Sequence, residues 1–221
     1  MSSTGFAGTP KMLRGGLVRI DPNTHSLLDV VVFQYNPDTL TRTLQPRAIG
    51  GEPGDRLEVL RLTGPPHETI KFDAEIDATD QLEFPDQNPT TAQAGIFPQL
   101  AALETVIYPT SSQLQSNNNL AQSGTLEIVP MQAPLTLFVW SQNRILPVRI
   151  TDFSVTEEAF DPALNPTRAK VSLGMRVLSI DDLGFDQKGG NLFMAYLRQK
   201  EQFVRMVPGG ALSALGIGGI P

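Results

Sequence analysis

The sequence predicts a mainly β protein, a barrel or sandwich with one packed α-helix and a second helix near the C-terminus. Three observations lead there. Two long runs alternate strictly between apolar and polar residues, the period of a strand with one buried face. Nineteen glycines and eighteen prolines among 221 residues exceed the usual combined share of about 12% and call for many turns. Helical spacing shows in two stretches alone. With no cysteine in the chain, disulfides and thiolate metal sites are excluded, and a domain of this length buries a sizeable core without them.

In chain order, GLVRI at 16–20 and DVVVFQY at 29–35 are the first strand candidates, followed by LEVLRL at 57–62. TIKFDAEID at 69–77 alternates Ile70, Phe72, Ala74 and Ile76 with Thr69, Lys71, Asp73, Glu75 and Asp77. In GIFPQLAALETVIYP, Ile96, Leu100, Leu103 and Ile107 fall on one helical stripe over 96–107, with Pro98 in the first turn and Pro109 past the end. Residues 110–124 are nearly all Ser, Thr, Asn and Gln, which predicts a long polar loop. PLTLFVW at 134–140 and ILPVRI at 145–150 flank the turn-rich SQNR and form a hairpin. Leu146, Val148 and Ile150 then lie on one parity and Phe153 and Val155 on the other, which requires a bulge near Asp152. AKVSLGMRVL at 169–178 is the second clean alternating strand. The last helix spans 191–206, with Asn191 as N-cap and Pro208-Gly209-Gly210 as the stop; its apolar residues Leu192, Phe193, Tyr196, Leu197, Phe203 and Val204 cover more than one face.

The chemistry offered by the side chains is sparse. A net charge of −6 with no Lys/Arg run lacks the footprint that neutralising phosphates demands, so nucleic acid is not an expected partner. His25 and His67 lie in separate turn-like stretches, with neither a GxSxG elbow nor an HExxH pair. No enzymatic activity and no cofactor or metal are expected. Asp73, Glu75 and Asp77, with Asp80, Glu83 and Asp86 after them, match a solvated strand face better than a cation site or a glycosidase pair. Of Phe33, Tyr35, Phe138 and Trp140, three sit in apolar strand runs, so the set is expected to pack in the core rather than line a sugar groove. Met1 to Pro10 has no apolar leader-like core and no stretch approaches a membrane span, so no membrane insertion and a cytoplasmic start are expected.

Several motifs in order carry a resemblance. FQYNPDTL at 33–40, HETIKFDAEID at 67–77, the helix ending in Tyr108-Pro109, and the run from PLTLFVW through Asn165-Pro166-Thr167-Arg168-Ala169 to MRVL at 178 resemble the tube-protein family of contractile injection systems, in particular its baseplate tube-adaptor members. The likeness covers roughly 12–180, with Phe33, Tyr35, Asn36, Pro37, Trp140, Asn165, Pro166 and Arg168 as its structural marks. It implies an Hcp-like barrel or sandwich, whose subunits pair their sheets into a hexameric ring joining the spike hub to the inner tube. Spike, tube, baseplate and sheath subunits are the partners implied, inside an assembled cytoplasmic particle. An inner-tube protomer or tube-end protein is the alternative within the class, and a carbohydrate-binding β-sandwich outside it. The chain divides accordingly into a flexible 1–11, a β-domain at 12–180, and a docking extension at 181–221 formed by the helix and Gly-rich tail. Adaptors often end in a LysM module, whose Gly-Asp-Thr-Leu hallmark is absent after residue 180. That departure speaks against peptidoglycan binding.

Overall fold

The computed structural model describes residues 13–47, 61–122, 133–210 and 212–220. Seven strands, β1 (Gly16–Ile20), β2 (Leu27–Val32), β3 (Thr41–Gln45), β4 (His67–Asp77), β5 (Leu135–Ser141), β6 (Arg144–Phe160) and β7 (Pro166–Val177), form one sheet in the order β2-β1-β5-β6-β7-β4-β3. Every neighbouring pair is antiparallel. Among the described residues the strands make a single sheet, not the two packed sheets of a sandwich. The expected hairpin is present around Gln142-Asn143, and the register of β6 on β7 shifts between Ile150 and Asp152, where the change of parity requires it.

The sheet is strongly curled around its apolar face. Phe72 on β4 and Phe138 on β5 are separated in the sheet by β6 and β7, a span of roughly 14 Å if it were flat. Their ring centroids are 5.6 Å apart. Phe33, just after β2 at the opposite end of the strand order, meets Phe72 edge-on at 5.2 Å. Leu17, Ile70, Ala74, Ile76, Leu146, Val148, Ala169, Val171, Leu173, Met175 and Val177 fill the space between. Every one of the predicted apolar positions on 69–77 and 169–178 is buried there.

The stretch between β4 and β5 is more helical than its sequence suggests. Four helices, α1 (Thr79–Leu82), α2 (Pro89–Ala94), α3 (Phe97–Glu104) and α4 (Ser111–Gln122), replace the one expected. The stripe is borne by α3 and its entry residue: Ile96, Leu100 and Leu103 are buried in the core. Ile107 is not, because α3 ends at Glu104 and leaves it exposed.

The predicted polar loop is instead α4. Thr110 and Gln113 close a reciprocal cap: the Thr110 amide donates to Gln113 Oε1 at 3.1 Å and the Gln113 amide donates to Thr110 Oγ1 at 3.3 Å. A Thr-x-x-Gln capping box specifies a helix start even where composition argues for a loop, and α4 buries none of its residues.

After β7, α5 (Ile180–Leu183) and α6 (Lys188–Met206) complete the chain's regular structure, apart from a 3₁₀ turn at Leu212–Leu215. α6 starts a turn before Asn191, with Gln187 as N-cap and no capping side chain. The reason is contact: a Cβ on Gly189 would lie 2.3 Å from Leu183 Cδ1, and one on Gly190 would lie 1.8 Å from the Gly184 carbonyl. Two glycines let the first turn of α6 press onto α5, which fixes the start in place of a polar cap. The helix ends at Met206, and Val207 is extended, as a residue before proline must be.

β3 has no counterpart among the expected strands, since Arg42 interrupts the alternation between Leu40 and Leu44. Most of the expected strand at 57–62, and all of 1–11, lie outside the described residues.

Candidate functional site: an interaction surface

The Asn-Pro motifs are fastenings of the fold. Asn36 Oδ1 accepts from the Gly15 amide at 2.9 Å while its Nδ2 donates to the Leu13 carbonyl at 2.8 Å, so one side-chain amide clasps the entry to β1 from 21 residues away. Gln34 acts similarly on β4. Its Nε2 donates to the Asp77 carbonyl at 2.6 Å and its Oε1 accepts from the Asp77 amide at 3.1 Å. β3 pairs with His67–Lys71 alone, which leaves the far part of β4 without a neighbour on that side. Gln34 therefore stands in for one residue of an absent strand, a role the sequence did not flag. Phe33 is buried between these fastenings, Pro37 is half-buried and Tyr35 is exposed.

Asn165 and Pro166 dock the helical segment onto the start of β7. Asn165 Nδ2 donates to Asp161 Oδ2 at 2.8 Å and to the Gln93 carbonyl at 3.2 Å. The Pro166 carbonyl accepts from the Ile96 amide at 2.8 Å. Arg168 Nε donates to Asp77 Oδ2 at 2.9 Å, tying β7 to the end of β4. Trp140 is half-buried, stacked 5.9 Å from Phe138 and capped by Gly15, where a Cβ would come within 2.8 Å of the indole. Phe138 and Gly15 thus hold the ring against the fold.

On the acidic strand face Asp73 and Asp77 are paired. Asp73 accepts from Ser172 Oγ at 2.6 Å and faces Lys170 Nζ at 2.9 Å. Its carboxyl is held below the usual range, first by the Ser172 hydroxyl and then by Lys170, whose own ammonium is pushed up by the same contact. Asp77 is likewise lowered, chiefly by the Thr79 hydroxyl. His25 sits at positive φ in an exposed turn, and His67 is exposed at the start of β4. Among the described residues no group of three or more His, Cys, Asp or Glu is placed to hold a metal ion.

What stands out is apolar surface. The C-terminal residues divide into two sets. Phe193 and Tyr196 are buried in the core cluster and Leu192 and Leu197 are half-buried, so the first half of α6 belongs to the fold. Phe203 (42% exposed) and Val204 (70%) lie past the sheet, followed by exposed Met206, Val207, Leu215 and Ile220, with no charged residue after Arg205. A second apolar surface lies on edge strand β2, where Val30 and Val32 share a face and are half exposed, beside Leu27 and Leu28 at a bulge. No proline or lysine protects that edge. A third feature is β6 from Arg149 to Phe160, which among the described residues has β7 as its strand partner on one side and none on the other, because β5 pairs no farther than Val148.

No protein-family model matches the chain, and no curated protein matches it. No helix among the described residues is long and apolar enough to cross a membrane.

Proposed function

We propose that the chain is a structural subunit of a phage-tail-like contractile injection system, forming a ring that joins the spike hub to the inner tube at the baseplate. The observation that carries this reading is a pair of sheet edges open among the described residues, the apolar β2 with its exposed valines and the charged, bulged stretch of β6 beyond Val148, on one curled sheet. An apolar edge such as β2 left open templates pairing with another chain, whereas charges and bulges such as those of β6 restrict an edge to a partner of matching charge and register. Two different edges on one subunit permit head-to-tail contacts, which close into a ring when the rotation is right. The resemblance of the Asn-Pro motifs and the Trp-ended hairpin to tube-adaptor proteins supplies the class of machine. The Hcp-like fold belongs to the same proposal. Exposed residues from Phe203 onward are the surface offered to a baseplate or sheath subunit.

Negative-stain electron microscopy of the purified protein tests the reading. Six-fold rings with a central hole are expected, alone or on adding spike and tube components. A monomer at tens of micromolar that assembles with neither overturns it.

A further inference from the structure

Glu68 is 4% exposed and is the buried charged residue among the described side chains. It shares the core-facing parity of Ile70 and Phe72 at the start of β4. A carboxylate in such a place is tolerated when it is paired and hydrogen-bonded, and here its partners come from two other elements. Arg42 on β3 donates through Nε to Oε1 at 2.7 Å, and Lys200 on α6 brings Nζ to 3.4 Å from Oε2. The circuit closes between the cations. Arg42 donates to the Tyr196 hydroxyl at 2.9 Å, and Lys200 Nζ lies over the Tyr196 ring at 4.1 Å from its centroid.

β3 is flanked by Leu40, packed against the core, and by Arg47, ion-paired to Asp181 on α5. Among the described residues the strand itself has five residues and a ladder with β4 alone, and none of its side chains is buried. Arg42 is thus its main inward anchor, and two of the groups that fix Arg42 and Glu68 belong to α6. Immediately beyond Lys200, α6 runs into its exposed turn with Phe203, Val204 and Met206.

We propose that α6 is a latch on the sheet edge: seating of the helix and seating of β3 against β4 are one coupled step, transmitted through Arg42, Glu68, Tyr196 and Lys200. Displacing the helix releases Arg42 and loosens β3. Conversely, anything that pins β3 strengthens the docking of α6, since such coupling is reciprocal. The exposed turn of α6 is the handle by which an engaged partner acts on the edge. The latch is a property of the isolated chain and stands or falls independently of what the chain assembles with.

Hydrogen exchange on the full-length protein, read by mass spectrometry, tests it. In Lys200→Met, amides of Thr41–Gln45 should exchange roughly fivefold or more faster, with a smaller acceleration in Tyr196→Phe and none in β1 or β5. Reciprocally, Arg42→Gln should accelerate the last two turns of α6. If that variant fails to fold because Glu68 is stranded, the double variant Arg42→Gln/Glu68→Gln removes the charge with its partner and should show the same acceleration. Faster exchange in α6 with β3 unchanged overturns the latch, because the helix then merely packs. Acceleration spread equally over β1 and β5 also overturns it, because the circuit is then one more part of the global core.

Discussion

Replacing Gly95 by alanine probes how the helical segment is fastened to the sheet. Gly95 has φ +56° and ψ −133°, a backbone conformation open essentially to glycine, and forcing another residue into it costs about 1–3 kcal/mol. Contact adds to this. The new Cβ would stand 2.2 Å from the Pro166 carbonyl oxygen, so the two backbones must part by roughly 1 Å to restore van der Waals distance. The same carbonyl accepts the Ile96 amide at 2.8 Å, and losing that bond costs about 0.5–1.5 kcal/mol. The expected loss is ~2–4 kcal/mol, and with a urea m-value of about 2 kcal/mol/M the midpoint drops by ~1–2 M. Gly184→Ala is the control. Gly184 also has positive φ, +68°, but nothing lies within 4 Å of its added Cβ, so it should lose the conformational share alone, about 1–2 kcal/mol. Equal midpoints for the two variants, or a Gly95→Ala midpoint within error of the parent, would refute the reasoning.

Three further outcomes are expected. Asn36→Ala removes both bonds of the β1 clasp and should cost ~1–2 kcal/mol in urea unfolding, with faster amide exchange at Gly15 as the local sign. Thermal stability should be level across neutral pH and fall on both flanks. Folding lowers the pKa of Asp73 and Asp77, so their contribution is present above the unfolded value of about 3.9 and is lost as acid passes through the folded value. Folding raises Lys170, so its contribution is present below about 10.4 and is lost as base passes through the folded value; Asp73→Asn should flatten both limbs in calorimetric scans. Truncation after Val207 should leave the circular dichroism and melting of the domain unchanged, whereas truncation after Gly189 removes Phe193 and Tyr196 from the core and should unfold it or lower its melting point by several degrees.

The parts of the fold legible in the sequence are those where one physical effect dominates. Period-two alternation located β4 and β7 because both bury one complete face, and the switch of parity at Asp152 located a bulge because a strand cannot change faces otherwise. β3 escaped notice for the opposite reason: its inward position is filled by Arg42, whose charge is neutralised by Glu68 from 26 residues away. Hydropathy along a single strand cannot register a pairing between strands. Composition points residues 110–124 toward a loop, since Ser and Asn favour loops, while the signal that decides α4 is a pair of residues three apart at Thr110 and Gln113. A capping box read at that position finds the helix.

The candidate surface was legible only as a set of apolar residues too wide for one helical face. Sequence spacing cannot say which of them a distant sheet covers, because the covering residues come from β3, β4 and β6. Phe193 and Tyr196 are claimed by the core; Phe203 and Val204, two to three turns later, run past the sheet. Near the division Lys200 reaches back to Glu68 with an ion pair, and every residue of α6 after it is exposed. A helix that ends its apolar contacts with its own domain and then continues with exposed Phe, Val and Met has an unmet burial of roughly 1.5–3 kcal/mol per large side chain. The same holds for β2, whose exposed valines lie on a strand that, among the described residues, has no neighbour on its outer side. A partner chain can cover apolar area and pair open edge groups at once, whereas water satisfies the edge groups alone, and that is the physical ground of the assembly role proposed above.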